Sequence, residues 1–235
     1  MPLKALVDAI PIYAWDMDET NRGKPFKCPH CPDTLILVLP TCDIIKHFRH
    51  KNNEAHGEPE TPEHLNGKKL LLNWFKVHGV MCEPEVRVGQ HICDVSMEQD
   101  GSKTFFEFQC SPISTAEILD RERSYDDAGF YCWIFGGHYY KNARNFRWWK
   151  NGKYTIQRIT KAERQIGVWQ SLLYLDTNTS ILYKANWKTR THSSVLGWYN
   201  LKPVDPSYLL NLDFFTDGLS DNDLASRLER DFNEY

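Results

Sequence analysis

The stretch His91–Cys110, HICDVSMEQDGSKTFFEFQC, predicts a β-hairpin, because Asp100-Gly101 is a strong two-residue turn signal between two runs typical of strands. Facing residues of such a hairpin are equidistant from the turn, so Asp94 falls opposite Glu107. Their Cβ atoms are then expected about 5 Å apart. Like charges directly opposed destabilise a sheet unless a cation lies between them, and a hard divalent cation with oxygen ligands is the usual one. The hairpin therefore predicts a metal site.

The alternation of side chains along a strand adds a third polar residue to this surface. In the stretch Phe106–Cys110, Glu107 and Gln109 point to one face and the apolar residues to the other. Asp94, Glu107 and Gln109 are therefore expected to share a surface. The hairpin alone is equally consistent with an exposed polar face on which the carboxylates are solvated separately.

The composition is that of a globular protein. The 235 residues are 41% hydrophobic and 25% charged, which suits one substantial core and a small appended module. No apolar run reaches the roughly 20 residues of a membrane span, and the N-terminus lacks the features of a signal peptide. We therefore expect a cytoplasmic protein with no membrane partner. The scattered cysteines favour buried thiols over disulfide bonds.

The order of predicted elements divides the chain into three parts. Short strand-like runs predict a β-rich module over residues 1–58, ended by a polar stretch with glycine and proline. Residues 59–140 predict a helix, three strands, a helix and a strand, and Thr61-Pro62 starts the first helix. Residues 141–235 predict a C-terminal extension with a basic strand region and an acidic helical tail. The expected fold class is α/β (α+β), with a mixed central sheet flanked by helices.

Two cysteines and two histidines of the first part have the spacing of a structural zinc site. Two residues separate Cys28 from Cys31, and two separate His47 from His50. This pair-loop-pair pattern suits four ligands around one tetrahedral Zn²⁺. A module of about 50 residues also gains stability from a metal, because its own core is marginal. One alternative is a Cys-Pro turn with surface histidines and no metal. Another is a site that uses His30, Cys42 or His56.

Charges are segregated along the last part of the chain. Between Lys141 and Arg164 there are eight Lys or Arg residues and one acid, whereas acids dominate from Val204 to the end. A basic stretch with interleaved aromatic residues suits a groove that follows a nucleic-acid backbone. A solvated charged surface is the alternative. The candidate nucleic-acid-binding residues are Arg144, Arg147, Lys150, Lys153 and Arg158.

These motifs, together with the order of elements, resemble the competence protein CoiA-like family of the PD-(D/E)XK nuclease superfamily. That superfamily has a core of a helix, a three-strand meander, a helix and a further strand. The matching residues occur in the family's order: Cys28-Pro29-His30-Cys31, His47-Phe48-Arg49-His50, Thr61-Pro62-Glu63-His64 with Lys68, Cys93-Asp94-Val95, Glu107-Phe108-Gln109-Cys110-Ser111, Arg121 with Tyr125, and Trp133-Ile134.

The resemblance implies a nuclease fold whose catalytic residues are Glu63, Asp94, Glu107 and Gln109. Asp94 and Glu107 would bind Mg²⁺ or Mn²⁺, and Glu63 would be a supporting acid at the start of the first helix. Gln109 stands in place of the superfamily's usual lysine and cannot carry a charge or a proton. That lysine's function then has to come from Lys68, Lys69 or a second metal, or to be absent.

The expected function is metal-dependent hydrolysis of phosphodiester bonds in DNA processing, recombination or uptake. Single-stranded or branched DNA would be the substrate, and recombination proteins would be partners. One alternative is a catalytically weak or inactive DNA-binding adaptor of recombination proteins, because Gln109 replaces the lysine. The other is an RNA nuclease, because the same kind of metal site hydrolyses either backbone.

Overall fold

A computed structural model describes residues 2–41, 45–52, 60–136, 146–149, 153–156, 160–188 and 198–210. Contacts group the chain into two units, Met1–Phe108 with Arg123–Tyr131 and Gln109–Glu122 with Cys132–Tyr235. The mixed α/β class predicted from the sequence is confirmed. The three-part division with boundaries at residues 58 and 140 stays a prediction. Among the described residues, no helix combines the length and the apolar character that crossing a membrane requires.

The N-terminal part of the first unit is a five-stranded antiparallel sheet with the strand order β2-β1-β3-β4-β5. Its strands are β1 (Lys4–Val7), β2 (Ile10–Tyr13), β3 (Phe26–Lys27), β4 (Thr34–Val38) and β5 (His47–His50). Leu35 and Leu37 alternate with less buried residues along β4 and pack with Ala5, Phe26 and Phe48 into one cluster. The sheet therefore has its own small core.

Helix α1 (Pro62–Val77) starts as the sequence predicts. The Thr61 side chain accepts a hydrogen bond from the backbone N–H of His64 at 3.2 Å, and proline occupies the first turn. The buried residues recur at helical spacing, so α1 turns one apolar face inward. They include Leu65, Leu71, Leu72 and Phe75.

The next three strands form an antiparallel meander, and they are β6 (Met81–Val88), β7 (His91–Gln99) and β8 (Ser102–Gln109). Asp100 and Gly101 both have positive φ angles, 52° and 77°, as a two-residue hairpin turn requires. The β7–β8 ladder runs from Gln99 opposite Ser102 to Val95 opposite Phe106. The hairpin and its register are therefore as predicted along this stretch.

The ladder between β6 and β7 is interrupted at one position. Pro84 lies opposite Val95, and after a gap of one residue on each strand the pairing resumes at Val86. The two residues in the gap are Glu85 and Asp94. Glu85 has a φ angle of 54°, in the left-handed region that residues other than glycine rarely adopt. The meander is therefore distorted where two of its buried acids, Glu85 and Asp94, occupy opposite positions.

Neighbouring residues of β8 contact different helices. Phe106 packs against Phe75 of α1, with ring centroids 4.9 Å apart, whereas Phe105 stacks on Tyr125 at 5.4 Å. Tyr125 belongs to helix α2 (Thr115–Asp126) and lies in its last turn. Because adjacent residues of a strand point to opposite faces, α1 and the last turn of α2 cover opposite faces of the meander.

The second unit contains a mixed set of strands. β12 (Leu173–Asp176) runs parallel to β9 (Phe130–Gly136), with Leu173 opposite Ile134. The other elements of this unit are β10 (Phe146–Trp149), β11 (Lys153–Ile156), α3 (Lys161–Trp169), β13 (Ile181–Lys188) and β14 (Trp198–Val204). The order β12-β13-β14-β11-β10 is antiparallel throughout. The predicted acidic helical tail lies outside the described residues.

A close approach between α1 and β8 gives a test of the packing. A Cβ atom added at Gly67 would overlap the ring of Phe108. We therefore expect Gly67→Ala to lower the free energy of unfolding by about 1–3 kcal/mol, because the clash outweighs alanine's better helix propensity. Urea unfolding measures this. Asn73→Ala, at an exposed position of the same helix, is the control and should be neutral or slightly stabilising. Equal effects of the two variants would contradict the close approach.

Candidate functional site

Asp94 lies at the interruption of the β6–β7 ladder, and its carboxylate is directed towards α1. One oxygen, Oδ2, accepts a hydrogen bond from the backbone N–H of Phe108 at 2.8 Å and lies 3.0 Å from Nε2 of His64. The other, Oδ1, lies 3.9 Å from Nζ of Lys68. The strand therefore fixes the orientation of the carboxylate, and α1 brings two basic side chains to it.

His64 bridges two carboxylates. Its Nδ1 lies 3.1 Å from Oε1 of Glu60, its Nε2 contacts Asp94, and its ring stacks parallel to Phe108. An imidazole donates hydrogen bonds from both nitrogens only when it is protonated. Burial alone would lower the pKa of His64, but the charge of Asp94 and the hydrogen bonds to both carboxylates outweigh it and raise the pKa to about 9.

Lys68 is 1% exposed and is surrounded by carboxylates. Its Nζ donates to Glu60 and, at 2.8 Å, to Oε1 of Glu85, in addition to its approach to Asp94. Burial opposes a buried ammonium, yet the three acids hold the pKa of Lys68 above its ordinary value. Lys68 therefore stays charged and cannot act as a base. Lys69, the other lysine considered as a substitute for the superfamily's lysine, is exposed.

Two acids of this cluster, Glu60 and Asp94, are stabilised in their charged forms. Burial raises the pKa of Glu60, but Lys68 and His64 lower it by more, so that it lies below its ordinary value. The pKa of Asp94 is lowered in the same way, against burial, by His64 and Lys68. Three carboxylates, those of Glu60, Glu85 and Asp94, thus face two cations. The cluster keeps an excess of negative charge that a metal cation can offset.

Glu107 takes its partner on the other face of the meander. It is buried and accepts a hydrogen bond from the hydroxyl of Tyr125 on α2. The reason lies in the strand opposite. Cys93 packs with Phe105 and Tyr125 on the face that α2 covers. Val95, two residues later, pairs with Phe106, which packs against α1 on the opposite face. The alternation of side chains is therefore reset at Asp94, which register alone does not reveal.

The structure does not bring Asp94 and Glu107 together as one ligand group. Among the described residues, those whose ligand atoms lie within 4.8 Å of one another around Asp94 are Glu60 and His64. His64 belongs to the motif Thr61-Pro62-Glu63-His64, which did not predict a role for it, and Glu60 and Glu85 belong to none of the predicted motifs. Glu60, His64 and Lys68 are spaced four residues apart, and this spacing could have indicated that Glu60 and His64 lie close to Lys68.

The two other predicted catalytic residues lie elsewhere. Glu63 is partly exposed and directly precedes His64 in α1, but it is not part of the ligand group around Asp94. Gln109 is partly buried, and its side-chain amide donates to the carbonyl and, at 3.2 Å, to the hydroxyl of Ser111. Its contact is therefore local to the end of β8.

Three of the four predicted zinc ligands come together, namely Cys28, Cys31 and His50, with ligand atoms within 4.8 Å of one another. Backbone N–H groups of His30 and Asp33 donate to the two sulfurs, Cys28 Sγ and Cys31 Sγ, each at 3.4 Å. Burial raises the pKa of the Cys28 thiol, although the hydrogen bond from the His30 N–H opposes this rise. Two cysteine sulfurs with an imidazole are the ligands that Zn²⁺ prefers. The donor set therefore fits the metal.

The remaining candidate ligands are placed differently. His47 is buried, but its Nδ1 lies 2.6 Å from the carbonyl oxygen of Ile45, and it is not part of the group. The His30 ring contacts the backbone carbonyl of Glu85 instead of the sulfurs. Cys42 and His56 lie outside the described residues.

Two of the five predicted nucleic-acid-binding residues have a described backbone. Arg147 lies on β10 and Lys153 on β11, which pair antiparallel with Trp149 opposite Lys153. Their side chains lie outside what the structure describes. The same holds for the whole of the other three residues, Arg144, Lys150 and Arg158.

The fold and the site together define a mixed α/β protein in which a helix and a three-strand meander hold a buried cluster of acids, a histidine and a lysine. A family model described as "Competence protein CoiA, nuclease-like domain" matches residues 60–202. The chain belongs to this competence protein CoiA nuclease-like family. Competence protein CoiA of Bacillus subtilis (strain 168) is 30% identical over 121 residues. That match covers 49% of this chain and 32% of the relative, so the chain spans about a third of its length.

The raised pKa of His64 predicts a pH-dependent contribution to stability. A group whose pKa is higher in the folded state stabilises the protein fully below its unfolded pKa, and this stabilisation is lost as the pH rises through the folded pKa. The loss of unfolding free energy in His64→Gln is therefore expected to be on the order of 2–3 kcal/mol below about pH 6.5 and to shrink as the pH approaches 9. Urea unfolding in metal-free buffer across this range measures it. A loss that does not change with pH would contradict the bridged, protonated state.

Proposed function

We propose that this protein is a divalent-metal-dependent nuclease in which Glu60, His64 and Asp94 hold the metal ion. The observation that carries the proposal is the grouping of these three ligands beside the buried ammonium of Lys68. Membership of the CoiA nuclease-like family supports the same reaction class. The proposed role is hydrolysis of DNA during processing, recombination or uptake.

The donor set suits a divalent transition metal better than Mg²⁺. Two carboxylates and one imidazole are acceptable ligands for Mn²⁺, whereas Mg²⁺ prefers oxygen ligands alone. His64 would have to lose a proton before one of its nitrogens could bind a metal, because a ligating nitrogen needs a free lone pair. Glu107, which the family resemblance implies as a second ligand, remains a candidate, because a carboxylate that accepts a hydrogen bond from Tyr125 keeps further lone pairs for a metal ion.

The residues of the chain divide the work of the reaction. The Phe108 N–H holds the Asp94 carboxylate in place. Lys68 supplies a fixed positive charge beside the proposed metal ion. This charge replaces the positive charge that a lysine at position 109 would carry and that Gln109 lacks. When bound, the metal would activate a water molecule and stabilise negative charge on the phosphoryl oxygens.

A comparison of two glutamates tests the ligand set. We expect Asp94→Asn to abolish cleavage and Glu60→Gln to lower it at least ~100-fold, whereas Glu63→Gln, the neighbouring acid outside the group, should change it less than ~10-fold. The assay uses single-stranded, duplex, nicked and branched DNA with matched RNA controls, in Mn²⁺ and in Mg²⁺. The reverse order of the two glutamates would return the role to Glu63. Binding without cleavage in any metal would favour the DNA-binding adaptor, and cleavage of RNA alone would favour an RNA nuclease.

We further propose that nucleic acid binds along the basic stretch that contains Arg144, Arg147, Lys150, Lys153 and Arg158. The pairing of β10 with β11 supports a hairpin whose strands carry Arg147 and Lys153. Binding through phosphate contacts should weaken steeply as salt rises in the same assays. Association with recombination proteins is a proposal that rests on the family alone.

We also propose a structural zinc ion held by Cys28, Cys31 and His50. Freshly purified protein is expected to contain about one zinc per chain, because three close N and S ligands with hydrogen-bonded sulfurs bind zinc tightly. Cys28→Ser and His50→Ala should lose the ion. His47→Ala is the matched comparison and should retain more zinc than His50→Ala, because His47 lies outside the ligand group. Protein without zinc, or equal loss in the two histidine variants, would argue against this ligand set. Metal analysis by mass spectrometry decides.

A further inference from the structure

Glu85 connects the Asp94 cluster to the N-terminal sheet. It is 5% exposed and has the left-handed φ angle noted above, which is strained for a residue with a Cβ atom. Such a conformation persists only where the surroundings hold the residue firmly. Its contacts show what holds it, because both carboxylate oxygens and the backbone carbonyl have partners from other parts of the chain.

The carboxylate of Glu85 joins strand β1 to Lys68. Oε1 accepts from the backbone N–H of Leu3 at 2.8 Å and from Nζ of Lys68 at 2.8 Å, and Oε2 accepts from the backbone N–H of Lys4 at 3.1 Å. A carboxylate that is shared in this way fixes the ammonium relative to the β1 backbone. Lys68 in turn lies 3.9 Å from Asp94.

The backbone carbonyl of Glu85 contacts the Cys28–Cys31 loop. Nε2 of His30 lies 3.0 Å from the Glu85 carbonyl oxygen, which can only accept, so the ring nitrogen donates. His30 lies between the two cysteines, and its own N–H donates to Cys28 Sγ. His30 therefore connects the sulfur of Cys28 to the backbone of the strained residue.

We propose that Glu85 is a positioning residue through which the N-terminal sheet and its zinc site set the metal affinity of the Asp94 cluster. The proposal rests on the metal site named under the proposed function. Without the Glu85 carboxylate, Lys68 would turn fully to Asp94 and Glu60 and would compete with the metal ion for both ligands. The Cys28–Cys31 loop keeps Glu85, and with it Lys68, in the arrangement that leaves Asp94 available.

The direct test measures Mn²⁺ affinity, by electron paramagnetic resonance of free Mn²⁺, in zinc-loaded protein that comprises all 235 residues. Glu85→Gln is expected to weaken Mn²⁺ binding at least ~10-fold, the range for residues that orient metal ligands. Glu83→Gln is the matched control, because Glu83 also binds β1, through Nζ of Lys4 at 2.6 Å, and has no contact with Lys68 among the described residues. Its affinity should stay within about twofold of the unaltered protein. Equal affinities in all three proteins would overturn the proposal.

A second variant covers the case in which Glu85→Gln fails to fold. His30→Ala removes the contact of the Cys28–Cys31 loop with Glu85 but keeps every proposed zinc ligand. It should retain zinc and still bind Mn²⁺ more weakly than the unaltered protein, a combination that a purely structural loss at the zinc site would not give. Retained zinc with unchanged Mn²⁺ affinity would overturn the proposal.

Asp94→Asn separates this proposal from the proposed function. If Asp94→Asn abolishes Mn²⁺ binding while Glu85→Gln and His30→Ala leave it unchanged, the metal site stands and the positioning role of Glu85 falls. If Asp94→Asn leaves Mn²⁺ binding unchanged, the metal site itself is wrong, and the positioning proposal falls with it.

Discussion

The buried ammonium of Lys68 is the constraint on which the first unit depends. A charge taken out of water is costly unless acids compensate it, and here Glu60, Glu85 and Asp94 all do so. Removing Lys68 would leave these buried acids without their shared cation, and breaking a buried ion pair in this way typically costs about 3–5 kcal/mol. The helix, the meander and β1 must therefore keep their positions together. This explains why Glu85 is held in a strained conformation in the middle of a strand.

The interruption at Glu85 is accompanied by different contacts for the two acids that the hairpin register places opposite each other. In an uninterrupted ladder, Asp94 and Glu107 would project from one face, as their register predicts. The gap at Glu85 and Asp94 turns Asp94 towards α1, while Glu107 stays with Tyr125 of α2. Asp94 therefore contacts His64 and Lys68, whereas Glu107 contacts Tyr125, although their register predicts that the two acids share a face.

The parts of the fold that follow from local rules could be predicted from the sequence. The Asp100-Gly101 turn fixes the hairpin, Thr61 and Pro62 fix the start of α1, and the CoiA-like motifs identify the family. The direction of Asp94 could not be predicted, because the contacts that hold Glu85 at the interruption come from residues about 80 positions away. Helix α3 and strands β12 to β14 lie beyond the motifs that carry the resemblance.

The N-terminal module is predicted to be separate because long-range contacts cannot be read from composition. A polar stretch before Thr61 predicts a boundary, since boundaries are inferred from composition along the chain. Hydrogen bonds from Leu3, Lys4 and His30 to Glu85 cross that boundary and are invisible to composition. Glu85 is therefore shared by two structures that the sequence presents as separate.

The fixed charge of Lys68 also bears on Gln109, which stands where the resemblance to the PD-(D/E)XK superfamily implies a lysine. Because three acids keep Lys68 protonated, it can offset negative charge near Asp94 but cannot take a proton from an attacking water. Under the proposed function, water activation then has to come from the metal ion, whose charge lowers the pKa of a bound water. A glutamine at position 109 cannot accept a proton as a neutral lysine can, but Lys68 keeps a positive charge near Asp94. For this reason Gln109 by itself does not decide between a nuclease and a DNA-binding adaptor, whereas the ability of Glu60, His64 and Asp94 to hold a metal ion does.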